Sequence, residues 1–117
     1  MNNDSANKES VVIDCSPDNF EETISGLKQD GAKFITMAAS RDSDGVIALV
    51  YYFQLNNKML VITLVPKEKS MPSLYSSFQK ADFIEREIYS LFEIKFIGHP
   101  NLAQIDSEEI EEQIYNI

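Results

Sequence analysis

Hydrophobic positions near the start of the chain predict a short extended run followed by an amphipathic helix. Residues 11–15 are mostly apolar, and a Ser-Pro-Asp sequence follows at residues 16–18, where Ser can cap a helix and Pro fits its first position. Three apolar residues then recur at spacings of four and three, on one helical face: Phe20, Ile24 and Leu27. The Asp-Gly pair at residues 30–31 supplies a stop signal, so the predicted helix is short.

The middle of the chain predicts an antiparallel meander. Residues 34–39 and 46–55 are rich in β-branched, aromatic and small side chains, and a turn-forming cluster at residues 41–45 separates them. Two asparagines at residues 56–57 separate the second extended run from a third, residues 59–65. Pro66 ends the third run, because proline has no N–H to donate to a neighbouring strand. The second run is apolar almost throughout. Its strand is therefore central and is either covered on both faces or covered on one and aromatic on the other.

Helical spacing returns in the second half of the chain. Residues 66–72 read as a solvated connector. After it, six apolar residues share one helical stripe that is expected to face the core: Phe78, Ala81, Ile84, Ile88, Leu91 and Phe92. Residues 94–97 have an extended pattern, and residues 98–100 must turn.

The last predicted element is a helix over residues 106–117. Ile110, Ile114 and Ile117 recur at helical spacing, and the opposite face is acidic. A helix this short needs a surface to pack against, because isolated helices of this length are marginal in water. These isoleucines could pack on the sheet or on a partner.

A length of 117 residues predicts a single domain. The polar start of the chain predicts a disordered N-terminal tail over residues 1–10, and residues 11–117 are expected to form one compact α+β domain. In that domain an antiparallel sheet of three to four strands carries helices packed on it.

The net charge of the chain argues against some classes of binding partner. The chain has 19 acidic against 10 basic residues, a formal net charge of -9, which repels phosphate backbones and anionic lipid. No stretch approaches the ~18 consecutive apolar residues of a membrane-spanning helix. We therefore expect no nucleic-acid binding, no direct membrane insertion and a cytoplasmic location unless a partner carries the chain elsewhere.

The inventory of reactive side chains argues against an enzyme. One Cys and one His cannot form a disulfide, hold an iron–sulfur cluster or build a site with two imidazoles. Cys15, in a predicted strand, is most simply a small core side chain. His99 stands between Gly98 and Pro100, which can hold the imidazole in a defined direction, and a structural role is expected for it.

Glu85-Arg86-Glu87 is the cluster with most potential for chemistry, because two carboxylates flank a guanidinium. Asp82 lies four residues before Arg86, so a surface ion pair on a solvated face, or a contact between subunits, accounts for the cluster. There is no phosphate-binding loop, dinucleotide fingerprint or nucleophile elbow. The residues alone do not indicate a catalyst.

Residues 72–102 closely resemble the signature of the C-type subunit of respiratory complex I and of its counterparts in membrane-bound energy-converting NiFe hydrogenases. The matching pieces, in the order and spacing of the family, are Pro72-Ser73, Ala81-x-Phe83-x-Glu85-Arg86-Glu87, Tyr89-x-Leu91-Phe92 and Phe96-x-Gly98-His99-Pro100-x-Leu102. The combination is specific and covers about a quarter of the chain.

The chain departs from the family pattern at five positions. Ser90 stands where the family usually has Asp, Glu93 replaces a Gly, and Asn101 stands where Asp is common. Ala103-Gln104 occupies the place of a paired Arg, whose loss removes charge-assisted contacts to a partner. The substitutions leave the expected fold intact and indicate a diverged or minimal assembly.

The resemblance implies a peripheral subunit that binds no cofactor or metal and has no catalytic residue. It implies docking on a NiFe-type large subunit, with an iron–sulfur small subunit in the same assembly, which couples electron transfer to ion translocation. The chain would then be peripheral to the cytoplasmic membrane through its partners. The residues expected at the docking surface are Glu85, Arg86, Glu87, Tyr89, Phe92, Gly98, His99 and Pro100.

Two other functions stay open. A free-standing acidic protein-binding module could keep the family fold outside the complex, as the substitutions at Ser90 and Glu93 suggest. A small enzyme using Glu85, Glu87 or His99 is the weaker of the two hypotheses.

Overall fold

The computed structural model describes residues 9–102. Most of the predicted tail (residues 1–8) and the whole predicted helix over residues 106–117 lie outside these described residues. In chain order the elements are β1 (Glu9–Val12), α1 (Phe20–Gln29), β2 (Lys33–Arg41), β3 (Ile47–Leu55), β4 (Lys58–Leu64), β5 (Ser70–Pro72), α2 (Asp82–Phe92) and β6 (Lys95–Ile97). The α+β class is confirmed.

The main sheet has four strands in the order β1-β4-β3-β2. Strands β2, β3 and β4 form the predicted antiparallel meander, with Tyr51 opposite both Met37 and Ile62. Strand β1 instead pairs parallel to β4, with Val11 opposite Leu60, so the prediction of a wholly antiparallel sheet is wrong for this edge. A four-residue strand contains no pattern that fixes its direction. It also begins at Glu9, two residues before the predicted domain boundary.

The core lies on one face of this sheet. Along β3, Leu49, Tyr51 and Phe53 are fully buried, whereas the alternating residues on the other face are half-buried. Strand β3 is therefore central and fully covered on one face, as alternation in a one-sided sheet requires. Tyr52 is the aromatic residue on the opposite face.

The first helix forms as its apolar spacing predicts. Its buried residues are Phe20, Ile24 and Leu27, and the Phe20 ring lies 5.0 Å from the Tyr51 ring across the core. The predicted first turn, Pro17–Asn19, is a short 3-10 turn that leads into the helix. Gly31, with φ of 86°, ends it, because glycine adopts this left-handed conformation without steric cost.

The second helix packs through the residues that precede it as well as through its own. Phe78 lies in the approach to α2, not within it, and its ring is 5.3 Å from Phe53 and 6.5 Å from Phe34. Ala81 and Ile88 are buried as the stripe predicts. Leu91 is not, since 68% of it is exposed. It stands at the margin of the stripe, where helical spacing alone does not separate core from surface.

The predicted solvated connector contains a short strand whose middle residue is buried. Met71 in β5 is 1% exposed, and β5 pairs in parallel with β6, so Met71 lies opposite Phe96. Three-residue strands show too little alternation to be recognised, and these two lie far apart in the chain. Cys15 lies three residues beyond β1 and is half-buried against the core, so its predicted strand position is wrong while its packing role holds.

Candidate docking surface

Glu85 joins α2 to the turn that follows β5. The side chain is fully buried and accepts hydrogen bonds from the Ser73 hydroxyl at 2.6 Å and the Leu74 N–H at 2.7 Å. Burial raises the pKa of Glu85, and these two hydrogen bonds work in the opposite direction. A solvated face is therefore the wrong interpretation for Glu85. It anchors the turn.

Arg86 makes the predicted pair with Asp82 one helical turn away. Its Nε lies 3.0 Å from Asp82 Oδ1 and its Nη2 lies 3.5 Å from Oδ2, while the guanidinium carbon is 5.5 Å from the centre of the Phe83 ring. Only 5% of Arg86 is exposed, so the arginine of this ion pair is buried and the predicted surface pair is wrong for this residue. The guanidinium is held in one direction by the carboxylate and the ring.

His99 brings the loop after β6 to the same carboxylate. Its Nε2 lies 2.8 Å from Asp82 Oδ1, and its Nδ1 accepts the Asn101 N–H at 3.0 Å, a pattern that assigns the proton of the neutral ring to Nε2. The imidazole is buried and lies 5.4 Å from the Tyr75 ring. Gly98, with φ of 95°, allows the chain to turn into this position.

Asp82 is the shared acceptor of this network. Partial burial disfavours its charged form, but the hydrogen bonds from Arg86 and His99 and the positive charge of Arg86 outweigh that effect. The pKa of Asp82 is consequently held below its ordinary value. The first turn of α2 and the loop after β6 are thus fixed to each other through one ionised carboxylate.

A groove opens beside this network, and we call it the Tyr89–Leu102 groove. It has a volume of about 320 Å³ and is lined by Tyr89, Lys95, Phe96, Ile97, Gly98, His99 and Leu102. Ile97 is 61% exposed although it is a large apolar residue, and exposed Leu91 lies on the last turn of α2. An isolated apolar residue on a surface is ordinary, but an exposed one that lines an apolar groove, as Ile97 does, marks a candidate contact surface.

The structure divides the eight predicted docking residues into three groups by their exposure. Glu85 and Arg86 are buried and His99 is buried through its side chain. Glu87, Tyr89 and Phe92 are half-buried, whereas Gly98 and Pro100 are exposed. Tyr89, Gly98 and His99 meet in the groove, while Phe92 lies elsewhere, with the Arg41 guanidinium 5.5 Å from its ring centre.

Sequence reasoning missed Lys95 and Ile97 as parts of this surface. The available signal was strand alternation, because Ile97 follows the inward-facing Phe96 and must point outward. Between residues 9 and 102, no three His, Cys, Asp or Glu residues come together as a metal site, and neither helix is long and apolar enough to cross a membrane.

A match to a protein-family model identifies the family of the chain. Residues 13–109 match the family model described as the 30 kDa subunit of respiratory-chain NADH dehydrogenase. The chain belongs to this family. The match spans strands β2 to β6, both helices and the groove, so the resemblance to the C-type subunit of complex I is confirmed.

Relatives of the 30 kDa subunit family agree along most of the chain. It is 29% identical to the NAD(P)H-quinone oxidoreductase J subunit of Prochlorococcus marinus (strain NATL1A), covering 77% of this chain and 60% of the relative. It is 30% identical to the NADH-quinone oxidoreductase C subunit of Roseobacter denitrificans, covering 87% and 55% respectively. The chain thus spans a little over half the length of these relatives.

A solved structure shows the same fold. A trypsin-resistant fragment of Nqo5 superposes with a TM-score of 0.65 at 24% identity, covering 80% of this chain and 81% of the fragment. At this identity the likeness concerns the fold alone.

Proposed function

We propose that this chain is a non-catalytic, cofactor-free peripheral subunit of a membrane-bound complex I-like oxidoreductase or energy-converting hydrogenase. It docks on a NiFe-type large subunit in an assembly that also contains an iron–sulfur small subunit. The assembly couples electron transfer to ion translocation, and this chain positions the partners without reacting. It is peripheral to the cytoplasmic membrane through those partners.

The exposed Ile97 beside the Tyr89–Leu102 groove is the observation that supports docking most strongly. Burying a large aliphatic side chain at an interface contributes roughly 1.5–3 kcal/mol, so leaving it exposed is a loss that a partner can recover. Strand β6 and the 98–100 loop present the groove on rigid backbone. Lys95 lies at the same groove and offers a charge for specificity.

The buried hydrogen bonds of Asp82 and Glu85 hold the elements beside the Tyr89–Leu102 groove in place. The carboxylate of Asp82 holds the Arg86 guanidinium and the His99 imidazole in fixed positions, and Glu85 fixes the turn at residues 73–74. Less ordering is needed on binding when the loop is already in place, which raises affinity without new contacts. In this proposal Glu85, Arg86 and His99 act by positioning, and Tyr89 and Gly98 make the contact in the groove. Pro100 follows in the same loop, and Glu87 and Phe92 are not part of the groove lining.

A pull-down from solubilised native membranes tests the proposal. The tagged chain should recover a NiFe-type large subunit, identified by mass spectrometry. Ile97→Asp places a charge on the groove and should lower recovery by about tenfold, equivalent to about 1.4 kcal/mol. Val12→Asp is the matched control, because Val12 is 77% exposed on the edge strand β1.

Equal recovery by the two variants would contradict the groove as the docking surface. Recovery of no large subunit by the native chain would contradict the subunit role itself. Proteins that accompany the large subunit distinguish the two assemblies: NADH-oxidising subunits indicate a complex I-like enzyme, and hydrogenase subunits indicate the other.

The free-standing module is the second candidate, and the positions of two substitutions favour it. Ser90 and Glu93, which replace the usual Asp and Gly of the family, are both exposed and flank Leu91. They change the exposed surface at the end of α2, next to Tyr89 in the chain, without disturbing the core. An abundant soluble monomer in native extracts, absent from the membrane fraction, would support this function over the first.

A further inference from the structure

A second pocket lies where the end of α1, the start of β2 and the turn before α2 meet. It has a volume of about 470 Å³. Its polar lining consists of three lysines, two serines and a glutamine, which are Lys28, Lys33, Lys80, Ser76, Ser77 and Gln79. Of the residues that the structure describes, no Asp or Glu lines it, although the chain has 19 acidic against 10 basic residues. We call it the three-lysine pocket.

The three lysines have no counter-charge within residues 9–102. None of them forms an ion pair there, whereas Lys58 pairs with Glu9 at 3.9 Å and Lys67 pairs with Asp18 at 3.5 Å. Acidic groups elsewhere on the surface are screened beyond about 8 Å at physiological ionic strength, so the field inside the pocket is set by its own lysines. The pocket therefore attracts anions although the net charge of the chain is -9.

The other polar side chains of the pocket are available to the same ligand. The side chains of Ser76, Ser77 and Gln79 make no hydrogen bond to another residue in the described part of the chain. An ammonium group can only donate hydrogen bonds, and hydroxyl and amide groups can donate them as well. Three positive charges among such donors match an oxyanion that has several acceptor oxygens and at least two negative charges. Phosphate groups have both properties.

The backbone around the pocket is fixed by hydrogen bonds. The first two lysines flank the turn between α1 and β2, which the Ala32 N–H closes by donating to the Leu27 carbonyl at 2.9 Å. The third lysine follows Phe78, whose N–H donates to the Leu74 carbonyl at 2.7 Å. The Lys28 Nζ lies 5.3 Å from the centre of the Phe78 ring, so a cation–π contact joins the two segments. Little ordering of the backbone is needed when a ligand binds.

We propose that the three-lysine pocket binds a compact polyanion that contains phosphate, of the size of a pyrophosphate or triphosphate group. The lysines neutralise the charge of this ligand, and the two serines and the glutamine donate hydrogen bonds to its oxygens. Lysines from both chain segments are needed, since neither segment supplies all three. The pocket shares no lining residue with the Tyr89–Leu102 groove, so this inference does not depend on the docking function proposed for that groove.

Isothermal titration calorimetry of the full chain with tripolyphosphate, at about 0.15 M salt, tests the proposal. One ligand should bind per chain. Lys33→Gln and Lys80→Gln, one in each segment, should each raise Kd by at least about fivefold, because each removes a charge-assisted contact. Lys69→Gln is the matched control, since Lys69 is also exposed and without an ion pair in residues 9–102 but lies outside the pocket. It should change Kd by less than about twofold.

A second arm distinguishes a free phosphate compound from a lipid headgroup. The chain is sedimented with phosphatidylcholine vesicles that contain or lack phosphatidic acid. Tripolyphosphate binding without vesicle binding supports a soluble ligand. Binding to phosphatidic acid vesicles that is weakened by Lys33→Gln and Lys80→Gln, but not by Lys69→Gln, supports a lipid phosphate. Equal weakening by all three variants, or no saturable binding of either probe below about 1 mM, would overturn the proposal.

Discussion

The antiparallel meander of β2, β3 and β4 and the region of residues 70–102, which we call the α2 end, are stabilised in different ways. The meander is apolar inside, with Tyr51 and Phe53 fully buried and no charged group in its core. The α2 end instead buries Glu85 and Arg86 and depends on hydrogen bonds to charged groups. Stabilisation by burial of apolar side chains tolerates small shifts of those side chains, whereas a buried charged network needs every hydrogen-bond partner in place. The first region gives the domain its stability and the second gives it a defined surface.

Truncation of Phe53 should cause the largest loss and tests the meander. The Phe53 ring lies 5.6 Å from Phe34 and 5.3 Å from Phe78, so Phe53→Ala removes both contacts and leaves a cavity. The free energy of unfolding, measured in urea, should fall by about 3–5 kcal/mol. Tyr52→Ala, on the half-buried opposite face, should cost clearly less. Equal losses would show that both faces are covered.

Removal of the Glu85 carboxylate tests the α2 end. Glu85→Ala leaves the Leu74 N–H and the Ser73 hydroxyl without their acceptor, which should lower the free energy of unfolding by about 2–3 kcal/mol. Glu87→Ala removes the same charge from a half-buried neighbour and should cost about 0.5 kcal/mol or less. If both variants lose the same amount, the buried hydrogen bonds do not hold this region.

Glu93 provides a change that should stabilise the α2 end. It caps α2 with φ of 62°, a left-handed conformation that glycine adopts freely and other residues adopt at a cost. Glu93→Gly should therefore raise the free energy of unfolding by about 1 kcal/mol. Ser90→Gly, at an exposed position inside the same helix, should lower it by about 0.5 kcal/mol. A loss of stability in Glu93→Gly would contradict the cap geometry.

The smallest expected effect is a pH dependence carried by Asp82. Because the pKa of Asp82 is lowered in the folded chain, its ionised form stabilises the fold at pH 7, and that contribution is lost as the pH falls below about 4. Asp82→Asn should cost no more than about 1 kcal/mol at pH 7, since its side chain is partly solvated. The difference from the native chain should shrink at pH 3.

Comparing the stability of Asp82→Asn with that of the native chain at each pH also separates the contribution of Asp82 from that of Glu85. Burial raises the pKa of Glu85, so the stability linked to its protonated form is present at low pH and is lost as the pH rises through the raised pKa. Most of this effect is common to both chains and cancels in the difference, because the charge of Asp82 is the smallest of the causes that shift the pKa of Glu85. An Asp82→Asn penalty that is equal at pH 7 and pH 3 would show that the carboxylate charge does not stabilise the loop.

The same contrast explains what could be predicted from the sequence. Strands β2, β3 and β4 and the buried face of α1 follow from local periodicity, because each repeats its apolar pattern over several turns or residue pairs. The parallel pairing of β1 with β4 and of β5 with β6 joins short segments that are distant in the chain, and no local pattern specifies it. Direction and partner of such strands are set by tertiary packing.

The candidate site was predictable in composition but not in arrangement. Motif resemblance identified the residues from Glu85 to Pro100, and helical spacing identified the pair of Asp82 and Arg86. That Glu85 is fully buried depends on Ser73 and Leu74, which lie eleven or more residues away. The exposure of Leu91 and Ile97 depends on which faces α2 and β6 turn to the core.

Hydrogen–deuterium exchange on the chain alone and in complex with the recovered large subunit tests the central claim most directly. Docking through the Tyr89–Leu102 groove predicts slower exchange in residues 89–100 of the complex, with the central strands β3 and β4 unchanged. Protection of the outer sheet face without protection of residues 89–100 would contradict it.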